Sequence, residues 1–177
     1  ASDEGRGLEC DKLNREAFKI HYQAFVSRVL RNTLPLAPNA MQYVDIDRYE
    51  MGGQNWTENL DKIFQDKKGY NILEYLPLVT GKFVESAEAT EAVLWDFRDL
   101  VCDLMTENYF GYFAELCRQD GIKSYIEPYG FGPLNDLDVG GKADINMGEF
   151  WVGRPMEMLG SAVSSSHIYG KKIVSAE

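Results

Sequence analysis

The sequence predicts an α/β protein whose strands run parallel, arranged as a partial (β/α)8 TIM-type barrel. Three observations lead there. Strand and helix signals alternate along the chain, which favours parallel α/β architecture. No glycine-rich phosphate loop follows any strand, which weighs against an open dinucleotide-binding sheet. Several strands end in a carboxylate, and in barrels the chemistry sits at the C-terminal ends of the strands.

The elements follow in order. Leu13 to Arg31 carries Ala17, Ile20, Ala24, Val29 and Leu30 on a largely helical period, with Asn14 as N-cap and Pro35 and Pro38 beyond its end. Met41 to Asp47 reads as a short strand turning polar at its end. Tyr49 to Thr57, with Gly52 and Gly53, reads as a loop, and Trp56 to Asp66 as a short helix. Ser86 caps a long helical tract whose stripe, Val93, Phe97, Leu100, Val101 and Leu104, resumes at Tyr112, Phe113 and Leu116 and stops at Gly121. Lys123 to Pro128 is the next strand. Tyr129 to Gly148, rich in Gly, Pro and Asp, reads as a loop. Met156 to Ile168 is a weaker helix, and a final apolar strand runs through Ile173 to Glu177. The polar opening at Ala1 and the close on a strand end suggest one partial catalytic barrel domain over residues 1–177, truncated at both ends.

Composition narrows the function. A formal net charge of −10 argues against a phosphate-backbone partner, which needs clustered Lys and Arg, so no nucleic acid is expected. No run is long enough for a membrane span. Cys10, Cys102 and Cys117 form no metal-binding or disulfide pattern and read as ordinary thiols. His21 and His167 read as structural or solvated, and Ser164-Ser-Ser166 lacks a nucleophile elbow. Asn135-Asp-Leu-Asp138 with Asp144 only loosely resembles a cation loop. Asn55-Trp-Thr57 matches a glycosylation acceptor pattern too common to weigh.

The acids carry the signal. Asp45 and Asp47 end one strand, Glu127 another and Glu177 the last, so parallel strands would bring them to one rim. Such a cluster suits glycoside cleavage, where one carboxylic acid protonates the leaving oxygen and a second carboxylate attacks or activates water. It equally suits a hard cation such as calcium. Any single one of these acids reads as well as the start of a solvated loop; the repeat at three strand ends does not. Glu149 stands beside Phe150 and Trp151 and reads either as an exposed acid next to a hydrophobic anchor or as a desolvated carboxylate with a raised pKa. Catalytic candidates are therefore Glu127, Glu149 and Glu177. Substrate-binding candidates are Asp45, Asp47, Arg48, Tyr129 and Trp151, with Trp56 a further stacking platform, although core packing explains the aromatics equally well. No metal ligand set is assigned.

Gly7-Leu-Glu-Cys-Asp-Lys-Leu13, Tyr43-Val-Asp-Ile-Asp-Arg-Tyr-Glu50, Gln54-Asn-Trp-Thr57, Asn146-Met-Gly-Glu-Phe-Trp151 and Ala162 to Glu177 together resemble glycoside hydrolase family 106. That resemblance implies the central part of the catalytic barrel of a larger, secreted or periplasmic bacterial α-L-rhamnosidase. It implies an inverting, calcium-dependent enzyme acting on rhamnose-containing plant glycans with a glutamate pair. Glu127 and Glu149 are then the leading candidates for the acid, and Glu177 for a calcium ligand, sugar-binding group or partner base. The second catalytic carboxylate can equally lie beyond residue 177. A retaining barrel glycosidase of the β-galactosidase type, or a non-catalytic carbohydrate-binding or structural unit, are the competing readings. The isolated 177-residue chain is expected to be inactive and prone to aggregate, with sheet edges unpaired.

Overall fold

The computed structural model describes residues 3, 6–153 and 159–177. Its centre is a four-stranded parallel sheet in the order β1-β2-β3-β4, formed by Tyr43–Ile46, Lys123–Ile126, Ile145–Gly148 and Val174–Ala176. Ile46 stands beside Ile126, Ile126 beside Asn146, and Gly148 beside Ala176. Because side chains alternate along each strand, Val44, Ile46, Ile126 and Asn146 share the face that packs on the helices. Tyr43, Asp45, Tyr125, Met147 and Ser175 share the other.

Seven α-helices flank the sheet among the described residues. α1 (Arg15–Ala24) begins where the Asn14 side chain accepts from the Glu16 and Ala17 N–H groups. α2 (Val26–Thr33) follows after a break at Phe25. The expected single helix is thus two, and Phe18, Tyr22, Val26 and Leu30 keep their period across the break, which periodicity alone does not reveal. α3 is Leu60–Lys68, and a 3-10 stretch, Ile72–Thr80, leads on from it. α4 (Ala87–Leu104) is capped by Ser86 as expected, its hydroxyl accepting from Ala89 N–H at 3.1 Å. A π-helical segment, Met105–Gly111, separates α4 from α5 (Tyr112–Gln119). The wider turns there shift the phase of the apolar stripe, and such segments are frequent at functional sites.

One expected loop is not a loop. Between Tyr129 and Gly148 the chain forms α6 (Asp136–Lys142) and the whole of β3. Neither shows in the pattern: α6 has only seven residues with two glycines, and all four residues of β3 are buried, so nothing alternates. α7 is Leu159–Ile168; the start expected at Met156 lies outside the described residues.

The core lies between the sheet and α1, α3, α4 and α5, around Leu60, Phe64, Met105 and Phe110. Each large apolar side chain of this kind contributes about 1.5–3 kcal/mol of burial free energy. Behind β3 the buried groups are polar. The Asn146 amide donates to the Ser165 and Ser166 hydroxyls, both at 2.9 Å, and Lys171 Nζ donates to the Gly140 and Ala143 carbonyls. Gly140 makes this packing possible, since a Cβ there would collide with Ser165. The network fixes β3 against α6 and α7, and with it the loop that carries Glu149. No helix among the described residues is long and apolar enough to cross a membrane.

Candidate active site

The residues just past β1, β2, β3 and β4 meet at one rim. Glu127 N–H donates to the Ile46 carbonyl at 3.1 Å, and Glu177 N–H to the Gly148 carbonyl at 2.9 Å. The ladders therefore hold Glu127 and Glu177 one step beyond the strands. Asp47, Glu127 and Glu177 each offer an oxygen, and these oxygens lie within 4.8 Å of one another. Asp47 and Glu177 are exposed, whereas Glu127 is only 1% exposed.

Glu127 is the anomaly of the set. Its Oε2 accepts from Arg48 N–H at 3.3 Å, but its buried Oε1 has no partner among the described residues. Burial pushes this carboxyl up from the ordinary 4.5 to about 7; the charges of Asp47 and Glu149 add to the rise, and the neighbouring Tyr129 hydroxyl opposes it. Tyr129 is itself buried, its hydroxyl facing the Glu127 carboxyl without reaching full hydrogen-bond geometry, and burial followed by the Glu127 charge raises its pKa, so it stays neutral. Gly130, next along, has φ +153 and lies against the Tyr49 backbone, where a Cβ would clash. That close approach holds the loops after β1 and β2 together.

Arg48 ties Glu149 to this group. Its Nη1 donates to Glu149 Oε2 at 2.7 Å and its Nε to Glu50 Oε1 at 2.6 Å. Glu149 is largely buried, with its side chain 12% exposed, but it is ion-paired with Arg48 and the flanking Phe150 and Trp151 are exposed. The desolvated carboxylate is Glu127. Asp45 lies two residues before Asp47, in register with Tyr125, and both aspartates line a cavity with Tyr22 and Tyr109. Trp151 is 57% exposed and makes no ring–ring contact among the described residues; Trp56 is also exposed.

The loose cation motif dissolves in the structure. Asn135 accepts from Leu137 N–H as the cap of α6, Asp136 accepts from Ser161, and Asp144 from Ser124. The three cysteines are free, and burial pushes the Cys117 thiol up to about 12.

The family model described as alpha-L-rhamnosidase, glycoside hydrolase 106, matches residues 1–177. The chain belongs to this family. A relative from Formosa agariphila, named "Putative beta-glucuronidase", is 40% identical over 175 residues, which are 98% of this chain and 15% of that protein. The solved structure of a rhamnosidase from Novosphingobium sp. PP1Y matches with a TM-score of 0.84 at 26% identity, over 100% of this chain and 18% of the other. This family member thus spans under a fifth of the length of either similar protein.

Two residues of the rim escaped the sequence reading. Glu50, which no local pattern marks, shares Arg48 with Glu149. Lys12, likewise unmarked, is nearly buried beside the rim. Buried lysines are rare, but burial of this one depends on Gln54 and Tyr109, distant in sequence, and leaves no local signal.

Proposed function

We propose that the whole protein hydrolyses terminal α-L-rhamnosides of glycans with inversion, and that Glu127 is the general acid. The observation that carries this reading is the buried Glu127 carboxyl with an unpartnered oxygen at a rim of acids. Its raised pKa leaves a large protonated fraction near neutrality, which is what protonation of a glycosidic oxygen requires. Glu127 gives its proton to that oxygen as the C–O bond breaks. Water then attacks the opposite face of the sugar, losing its proton to Glu149, which Arg48 orients. An inverting pair stands about 6.5–9.5 Å apart, and the closeness of one oxygen each from Asp47, Glu127 and Glu177, within 4.8 Å of one another, favours Glu149 as the partner.

That closeness favours the retaining reading instead if Glu177 or Asp47 is a nucleophile. Proton NMR of the first rhamnose released from an aryl α-L-rhamnoside separates the two: β-rhamnose supports inversion, and α-rhamnose transfers the site to the retaining mechanism. Cleavage of an aryl β-D-glucuronide, suggested by the name of the Formosa relative, with no release of rhamnose would overturn the rhamnoside assignment.

The rim also fits calcium. Asp47, Glu127 and Glu177 present hard carboxylate oxygens, and the unpartnered Glu127 Oε1 is a free ligand atom. Bound there, calcium would neutralise the cluster and polarise sugar hydroxyls. Glu127 would then be ionised and the acid role would pass to Glu149. Loss of turnover on chelation, restored by calcium, would support this second assignment; an unaffected rate would remove it.

We further read residues 1–177 as part of a (β/α)8 catalytic barrel. The sequential, all-parallel strand order supports it, as does the apolar sheet face around Tyr43, Ile145 and Ile173, which suits a barrel interior.

A further inference from the structure

Among the described residues three buried side-chain atoms lack hydrogen-bond partners, and two of them belong to Glu127 and Tyr129. The third, Tyr49 Oη, belongs to a residue that lines a second cavity, which shares Arg48 with the acid cluster but is otherwise unused by the chemistry above. This cavity holds about 380 Å³ and is bounded by Glu9, Lys12, Tyr49 and Tyr109, with Arg48 and Glu50 on the side of the acid cluster. Its size falls at the lower end of the ~300–1,000 Å³ typical of small-molecule sites.

Its walls are braced. Lys12 N–H donates to Gln54 Oε1 at 2.9 Å, Gln54 Nε2 to the Cys10 carbonyl at 3.0 Å, and Thr57 Oγ1 to Asp11 Oδ2 at 2.6 Å. Two of the motifs quoted for the family resemblance are thereby stitched together around it. Asn108 of the π-helical segment donates to the Leu13 carbonyl at 2.7 Å, and Tyr109 beside it forms part of the wall.

Lys12 is only 5% exposed, and among the described residues its one side-chain hydrogen bond goes to Glu9 Oε2 at 2.6 Å. Its Nζ lies 5.6 Å from the ring centroids of both Tyr49 and Tyr109. An ammonium carries three donors, so two have no oxygen acceptor among the described residues of this lining. Within the lining Lys12 pairs with Glu9 and Arg48 with Glu50, and Arg48 is shared with Glu149 outside it, so no cation is left over. A neutral polyhydroxyl ligand meets that arrangement, because neighbouring hydroxyls can accept from Lys12 and donate to Glu9. An anion would leave the site unbalanced.

We propose that this cavity is a second sugar subsite, which binds the neutral sugar unit adjacent to the one released at the acid cluster, with Lys12 and Glu9 bonding to its hydroxyls. The inference rests on the reading of the cluster as a rhamnoside-cleaving site. The test compares the whole protein with its Lys12→Met and Glu9→Gln variants on two substrates. Nitrophenyl α-L-rhamnoside places a flat aromatic ring where the second sugar would lie, and a rhamnosyl-glucose disaccharide fills that position with hydroxyls. The expected result is a fall of about tenfold or more in the ratio of kcat/KM for the disaccharide to that for the aryl substrate. A ratio held within about threefold in both variants overturns the subsite, because a purely structural Lys12 affects both substrates alike. Glu9, half-exposed, reads the same ligand contact if Lys12→Met fails to fold. An unmodified protein that cleaves the aryl substrate but not the disaccharide overturns the subsite alone. One that cleaves neither overturns the rhamnoside reading and the subsite with it.

Discussion

The two ends of the sheet treat buried polar groups in opposite ways. Toward the strand starts and behind β3, the buried groups are satisfied: Ser124 with Asp144, Asn146 with Ser165 and Ser166, and Lys171 with the Gly140 and Ala143 carbonyls. Even Lys171, whose ammonium burial pulls down to about 8, has three acceptors. At the strand ends, Glu127, Tyr129 and nearby Tyr49 each keep a buried atom unpartnered, and carboxylates crowd within 4.8 Å. Satisfied networks specify a structure, whereas unsatisfied ones cost stability. On the proposed reading, the difference separates groups that hold the sheet from groups retained for a ligand.

Swapping one residue at each end breaks or supports that contrast. Asn146→Ala removes the hub of the satisfied network: the buried Ser166 hydroxyl loses its partner and Lys171 one acceptor, while Ser165 keeps its bond to the Ser161 carbonyl. Chemical denaturation should show a loss of about 1–3 kcal/mol for each group left unsatisfied, the largest stability effect expected here. Glu127→Gln should lose none of that at pH 8.

The pH dependence of stability sharpens the point. The folded-state pKa of Glu127, about 7, exceeds its ordinary 4.5, so the folded state holds the proton more tightly. This group's contribution is fully present below about pH 4.5 and is lost as the pH rises through 7. Denaturation midpoints of the unmodified protein should therefore fall relative to Glu127→Gln across that window. Parallel curves would contradict the burial of an unpaired carboxyl.

Arg48→Met removes the clamp on Glu149 while leaving the Arg48 backbone bond to Glu127 in place. Turnover of a rhamnoside should fall on the order of tenfold, with a stability loss of about 1–2 kcal/mol because Glu149, whose side chain is only 12% exposed, loses its charged partner. The smallest effect belongs away from both ends. Lys142→Met breaks an exposed pair with Glu107 and should shift stability by about 0–1 kcal/mol and turnover not at all.

Part of this was legible in the sequence. Asn14 and Ser86 announce their helices because capping is local chemistry. β1, β2 and β4 are visible as apolar runs ending in acids, and that ending places Asp47, Glu127 and Glu177 together once the strands are parallel. β3 is invisible because Ile145–Gly148 is short and buried throughout, so Glu149 was placed by its aromatic neighbours rather than by its strand. The same blindness exchanged two environments. Which carboxylate meets Arg48 and which is left without a partner depends on the fold of loops far apart in sequence. No local pattern distinguishes Glu127 from Glu149 in that respect.

The role of Glu127 is tested most directly by the leaving-group dependence of Glu127→Gln in the whole protein. A general acid matters most when the departing alcohol is a poor leaving group, and contributes about 10²–10⁴-fold. The account predicts a loss of that order on an alkyl α-L-rhamnoside and a much smaller loss on the nitrophenyl rhamnoside. Equal losses on both substrates, or no loss on either, would contradict it.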